Sequence, residues 1–294
     1  MSPINTTETP TTVLITGSYG PLATRLAQDL EARGYAVHTL LAHEYSVGSA
    51  HVLSHQHANL AAPTDLAAAA ETADVILMMT GLGPVAALVA DAESLDVVLA
   101  RARPDAVLIH TSSLAVLHGE GDLDETSEPL TPDYAATQRV LEQRVATATD
   151  WLRAITLRPG LVYTAGGGPL IDEAITQARA TGVSRYLGDP GDRYPTVHED
   201  DLLSLFRLLI EDPSARGVYH GASGSITAGE LAQLIADRAD VSAVQPWDLA
   251  ELSEAVGMDV DPDATSLNVR LAPSRAITDL GWNPTAPDLP TAMT

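Results

Sequence analysis

Val13-Leu-Ile-Thr-Gly17-Ser-Tyr-Gly20-Pro-Leu-Ala23 leaves an apolar run, turns on two glycines and enters a segment of helical period. Gly17 lets the chain turn tightly, Gly20 lets the backbone approach a pyrophosphate, and Ala23 is small enough for the helix to pack on the strand. Pro21 suits the first helical position, where its missing N–H costs nothing. The helix start then offers free amides and a positive dipole end to phosphates. Alone, the pattern reads equally as a plain strand-to-helix turn. The βαβ series behind it makes it a dinucleotide site, with Gly17, Ser18, Tyr19, Gly20, Pro21 and Leu22 as the residues over the pyrophosphate.

That series is visible on either side. Runs rich in Val, Ile and Leu at Val13–Thr16, Ala36–Leu41, Val75–Met79, Ala106–Thr111 and Leu152–Arg158 predict strands. Helical-period segments near Pro21–Arg33, Asp65–Glu71, Val85–Arg101 and Tyr134–Thr147 alternate with them. Such alternation implies right-handed crossovers onto a parallel sheet with a ligand crevice at the carboxyl ends of its strands. The expected fold class is therefore α/β, with a leader at 1–10 and a Rossmann-type doubly wound parallel sheet over residues 11–164. After Tyr163 the texture changes, beginning with Gly166-Gly167-Gly168-Pro169. A helix near Leu170–Thr181, a Gly/Pro/Asp-rich loop from Gly188 to Pro195, a helix at Asp200–Glu211 and a strand at Val218–His220 follow. Thr227-Ala-Gly-Glu230 reads as a capping box, and Ser274–Leu280 as a helix. These features predict a smaller C-terminal substrate-binding lobe over 165–294 that partly returns to the first domain. Arg185, Tyr186, Arg193 and Tyr194 are candidates to line its pocket, or plain surface.

At 294 residues and 45% hydrophobic, the chain can bury a large core. No apolar run approaches the ~20 residues needed to cross a bilayer, and the first ten lack a signal peptide's basic start and apolar middle. A cytoplasmic protein is expected. Cysteine is absent, which excludes disulfides, thiolate ligands and cysteine nucleophiles. His51, His55 and His57 crowd together without a ligand frame, so no metal is expected. The net charge is −23, and all 16 basic residues are arginine. Such a surface repels nucleic acid and anionic membranes. A small-molecule substrate, or a second copy of the chain in a homodimer, remains as partner.

The strand Val107-Leu-Ile-His-Thr-Ser112-Ser113 ends in two hydroxyls. Asp124-Glu125, Pro132-Asp-Tyr134-Ala-Ala-Thr-Gln138-Arg-Val-Leu-Glu142 and Leu157-Arg158-Pro159-Gly160-Leu-Val-Tyr163 follow it. Together with Val197-His198-Glu-Asp-Asp201 and Leu280-Gly281-Trp282-Asn283-Pro284, this order resembles the extended short-chain dehydrogenase/reductases, the group of the NAD-dependent sugar epimerases and dehydratases. The resemblance implies NAD or NADP as cofactor. It implies that Ser113 hydrogen-bonds the reacting oxygen and that Tyr134 is the acid/base. Gln138 falls where the family has a lysine that binds the nicotinamide ribose and lowers the tyrosine's pKa. Asn59 and Leu60 fall near adenine, where the family carries an acidic residue. Thr80 and Gly81 fall where the chain passes the cofactor, and Pro159, Gly160, Leu161 and Val162 near the nicotinamide. The sequence departs from the family at Ala23 for the third glycine, Leu117-His118 for a tyrosine and Thr164 for a glycine. The family makes His198 a structural position between the lobes. At the end of the second strand, His43 suits the phosphate of NADP and Glu44 the hydroxyl of NAD, so both cofactors stay open.

Gln138 governs the chemistry. A phenol titrates near ~10 and needs a nearby cation to work as a base at neutral pH. Positions 134 and 138 share a helix face, but glutamine brings no charge. Three functions follow: an NAD(P)-dependent oxidoreductase or epimerase-like enzyme on a small carbonyl or hydroxyl substrate; a non-redox cyclase, dehydratase or isomerase of a secondary-metabolite pathway, with Tyr134 a neutral donor; or a nucleotide-sensing binding protein without turnover.

Overall fold

The computed structural model describes residues 11–17, 20–41, 58–59, 63–79, 87–112, 116–117, 122–127, 135–256 and 268–294. In chain order come β1 (Thr12–Thr16), α1 (Gly20–Ala32), β2 (Ala36–Leu41), β3 (Ala58–Asn59), α2 (Pro63–Thr72), β4 (Val75–Met78), α3 (Ala87–Arg101) and β5 (Val107–Thr111). Next are β6 (Asp122–Leu123), α4 (Ala136–Thr147), β7 (Arg153–Pro159), β8 (Leu161–Tyr163), α5 (Pro169–Thr181), β9 (Val183–Tyr186), β10 (Arg193–His198) and α6 (Glu199–Glu211). The remainder is β11 (Gly217–Gly221), β12 (Gly224–Thr227), α7 (Ala228–Ala239), β13 (Ala243–Pro246), α8 (Leu249–Val256), β14 (Arg270–Leu271), α9 (Ser274–Leu280) and α10 (Leu289–Ala292). Two units divide these elements: Met1–Thr111 with Val145–Ile155, and Ser112–Arg144 with Thr156–Thr294. The division falls inside β7.

In the first unit the strands run β7-β5-β4-β1-β2-β3. The pairs β1–β2, β1–β4, β4–β5 and β2–β3 are parallel. β4 and β5 are buried along their whole length. A strand covered on both faces needs no polar alternation, which is why these segments read as unbroken apolar runs. The order reverses at β1, from which the chain goes out to β2 and β3 on one side and then to β4 and β5 on the other. Ligands of open α/β sheets bind at the carboxyl ends of strands flanking such a reversal, and Gly17 follows β1 there. Ala23, Leu26, Ala27 and Leu30 of α1 are buried at helical spacing and form its core face. The two-residue β3 is too short to announce itself in sequence.

In the second unit β10 lies between β12, antiparallel, and β8, parallel. β11 lies beside β7, and Gly160 N–H donates to the Gly221 carbonyl at 2.9 Å. The pairs β9–β13 and β6–β14 are parallel. Ile171, Ile175, Ala178, Ile226, Ile235, Ala239, Leu289 and Met293 gather with Tyr163 in one buried cluster. The expected loop from Gly188 to Pro195 is corrected at its end, because Arg193, Tyr194 and Pro195 open β10. Proline is tolerated there: Pro195 pairs with Ser225 of β12, whereas pairing with β8 begins only at Thr196, so a missing N–H breaks no second ladder. Arg185 and Tyr186 likewise lie on a strand, β9.

The last turns of the chain are stitched to residues far upstream. Trp282 Nε1–H donates to the Asp201 carbonyl at 3.1 Å, and Thr285 N–H donates to the Asp201 carboxylate at 2.9 Å. Tyr163 OH donates to the Pro287 carbonyl at 2.7 Å, and Arg238 to that of Met293 at 2.6 Å. His198 sits behind this stitch, capping α6 through Nδ1, which accepts from Asp200 N–H at 3.2 Å, and meeting Tyr163 edge-on at 5.2 Å.

Candidate active site

Gly17 has φ 64°, in the left-handed region that a side chain adopts only with strain. The chain therefore turns sharply off β1, and α1 begins at Gly20 with no acidic side chain in its first turn. Ala23 is buried, as a tight approach of helix to strand requires. Just before the turn, the Thr16 hydroxyl is buried and has no hydrogen-bond partner among the described residues. A positive-φ glycine, an acid-free helix start and an unsatisfied buried hydroxyl together fit a phosphate-bearing ligand. Pro21 is exposed and Leu22 half-buried within α1. Asn59 lies on β3. Ser18, Tyr19, His43, Leu60, Thr80, Gly81, Ser113 and Tyr134 lie outside the described residues.

In the second unit, α4 turns Gln138, Leu141 and Glu142 inward at i, i+3 and i+4. Two of these three are polar, unusual on a core face, and Gln138 is 9% exposed. Ala135, next in the chain to Tyr134, packs with Val116 and Leu117, three and four residues beyond Ser113, and with Ala222, Val269 and Leu271. The leucine at 117 thus fills an apolar site where the family has a tyrosine. The Ser112 hydroxyl at the end of the serine strand is buried with no partner among the described residues.

Behind Gln138 lies a cluster that composition and motif reading do not reveal. Arg158 of β7 donates through Nε to Glu142 Oε1 at 2.9 Å and through Nη2 to Oε2 at 2.6 Å. Both side chains are essentially excluded from solvent. Arg158 Nη1 makes a longer contact, 3.5 Å, with His220 Nε2, and His220 Nδ1 lies 3.2 Å from the Ala272 carbonyl. A proton on Nδ1 satisfies both contacts, leaving Nε2 as acceptor. Burial and then the Arg158 charge push the His220 pKa down to about 4, so the ring is neutral at pH 7. Glu125 accepts from the backbone N–H groups of His220 and Arg275, both at 3.2 Å, and burial raises its pKa. The sequence held one signal for this cluster: an arginine inside the apolar run Ala-Ile-Thr-Leu-Arg158, which a buried strand accommodates only beside a carboxylate.

Gly160 is placed between β7 and β8, and a Cβ on it would come within 2.9 Å of the backbone of Pro195 and Thr196. Its residue type is explained by that crossing with β10. Leu161 and Val162 continue into β8, where they pair with Thr196 and Val197. Arg193 lines an open groove of about 470 Å³ with Ser225, Glu230, Gln233, Asp288 and Leu289.

The sheet order, the glycine turn and the ordered motifs define an extended short-chain dehydrogenase/reductase of the epimerase/dehydratase type. Within that class the family model described as RmlD substrate binding domain matches residues 11–257, and the chain belongs to that family. An uncharacterized protein of Schizosaccharomyces pombe, C2A9.02, is 31% identical over 197 residues, 63% of either chain. A 2-alkyl-3-oxoalkanoate reductase of Stenotrophomonas maltophilia is 31% identical over 132 residues, 42% of this chain and 40% of that one. The chain thus spans less than two thirds of these curated relatives. The crystal structure of UDP-glucose 4-epimerase from Thermus thermophilus in complex with NAD superposes with a TM-score of 0.72 at 18% identity, covering 96% of each chain. At that identity the likeness concerns the fold. Among the described residues no helix is long and apolar enough to cross a membrane, and no group of side chains could hold a metal.

Proposed function

We propose that the protein is an NAD(P)-binding enzyme that acts on a small carbonyl or hydroxyl substrate, as a reductase or in an epimerase-like reaction, with Ser113 and Tyr134 at the reacting oxygen. The turn at Gly17 carries this reading. Its positive φ and the acid-free start of α1 suit a pyrophosphate held by Gly17 to Leu22. The NAD-bound epimerase and the oxoalkanoate reductase support a nicotinamide cofactor and a carbonyl substrate. When bound, such a dinucleotide supplies or accepts hydride. Ser113 donates a hydrogen bond to the substrate oxygen, and Tyr134 exchanges a proton with it. Gln138 orients by hydrogen bonding, and residues 165–294 shape the substrate pocket.

One observation favours the non-redox reading in second place. Position 138 is buried and neutral, and Arg158 and Arg139 both direct their guanidinium groups to Glu142. A tyrosine without a cation beside it works best as a neutral donor.

Titrating NAD and NADP separately into the protein and into Gly20→Asp tests the cofactor site and decides between the cofactors. Binding by the protein and its loss in the variant is expected, since a carboxylate there repels phosphate. Equal binding by both proteins, or by neither at millimolar cofactor, removes the site. Tyr134→Phe should lower turnover ~10²–10⁴-fold, and Ser113→Ala less. Near-unchanged turnover in Tyr134→Phe refutes the catalytic assignment.

A further inference from the structure

We propose that Glu142 is a positioning residue that cancels the charge of Arg158 and thereby leaves the helix face at Gln138 without net positive charge. The proposal rests on the reading of Tyr134 as the tyrosine of the site, with residue 138 as its helix-face neighbour. It extends that reading from the loss of one cation to the neutralisation of a second.

A buried ion pair is not an economical way to fill a core, because desolvation costs several kcal/mol per ion and apolar residues of similar size often do as well. Its partners here are arranged to immobilise the guanidinium. Nε and Nη2 go to Glu142, and Nη1 faces the acceptor nitrogen of His220, itself anchored on the Ala272 carbonyl. The imidazole adds hydrogen-bonding capacity without charge. Other charged groups surround the cluster, and a second guanidinium, that of Arg139, reaches the same carboxylate. Arg139 is 3.4 Å from Glu142 and 32% exposed, so water screens it. The Asp124 carboxylate favours the charged form of His220 slightly, and the Arg275 charge favours that of Glu125. Glu142 follows Gln138 by one helical turn, which puts the two Cβ atoms about 6 Å apart. Without the carboxylate, Arg158 would present a cation to this helix face, the same sign of charge that the family's lysine brings.

The composition offers a direct measurement. With no cysteine and no lysine, tyrosine is the only side chain that titrates between about pH 9 and pH 12. The alkaline absorbance titration of the protein minus that of Tyr134→Phe isolates one phenol among eight, with neither substrate nor cofactor present. In the Gln138→Lys background this titration should move to lower pH by about one to three units. Glu142→Gln should move it the same way by a smaller amount, because the cation it uncovers lies further along the helix face than residue 138. Glu142→Met/Arg158→Met, which removes both charges, should leave it in place. If Gln138→Lys does not move the titration, the pairing of positions 134 and 138 fails and the proposal with it. If Gln138→Lys moves it but folded Glu142→Gln does not, the role of Glu142 is overturned while the site reading stands. Should Glu142→Gln not fold, the double variant decides alone: an unmoved titration supports the proposal, and a shift of a unit or more in either direction overturns it.

Discussion

Replacing His220 by glutamine should remove a loss of stability that the protein otherwise suffers as pH falls from 7 to 5. His220 is fully buried and its folded pKa is about 4, against about 6.5 in an unfolded chain. The folded pKa is depressed, so the unfolded state binds more protons between these values. The contribution is therefore fully present above pH 6.5 and declines as pH falls towards 4. Integrated from pH 7 to pH 5, the loss is about 2 kcal/mol. Glutamine keeps hydrogen-bonding capacity beside Arg158 and Ala272 but cannot be protonated, and any packing cost it brings does not depend on pH. Urea unfolding followed by tryptophan fluorescence at pH 7, 6 and 5 gives the comparison. The gap between the two proteins should change by about 2 kcal/mol across the range, in favour of the variant at pH 5. A gap constant with pH would mean that the imidazole is solvated or already charged, and the Arg158 contact would have to be abandoned.

Two further outcomes bear on the same unit. Gly160→Ala should lower stability by about 1–3 kcal/mol in urea unfolding, because its Cβ meets backbone at 2.9 Å and strands β8 and β10 must part; a neutral effect would refute the close crossing. Arg158→Met should cost about 3–5 kcal/mol by leaving the Glu142 carboxylate buried alone, whereas Arg158→Met/Glu142→Met should regain most of that; an equally unstable double variant would assign the cost to packing.

The first unit is largely legible in the sequence. Its strands lie in a parallel sheet buried on both faces, so β1, β2, β4, β5 and β7 appear as apolar runs within a residue or two of where they lie. The turn at Gly17 is legible for a similar reason, since a sharp reversal needs a residue without a side chain. In the second unit α5, α6, α7 and α9 are equally clear, down to the capping box in which Thr227 and Glu230 bond each other's backbone, whereas the short α8 and α10 are not. Of its strands, β11 is legible at Val218–His220 and most of the others are not. β6, β8, β12 and β14 span two to four residues and gain their pairing from distant segments, and Pro195 disguises the start of β10. The cluster behind Gln138 is hidden by separation: Glu142, Arg158 and His220 stand 16 and 62 residues apart, and only the fold makes one unit of them.

The stitch between the end of the chain and α6 sets an order in time. Asp201 is synthesised 81 residues before Trp282, its partner, exists. At about 5–20 residues per second, that interval lasts roughly 4–16 s. Ile175 is already made when it begins and Ile235 is added within it, while Leu289 and Met293, which complete their cluster, are still unmade. The nascent second unit must therefore carry an open apolar seam for seconds, longer than many small domains need to fold, and that seam is where a chaperone would find it.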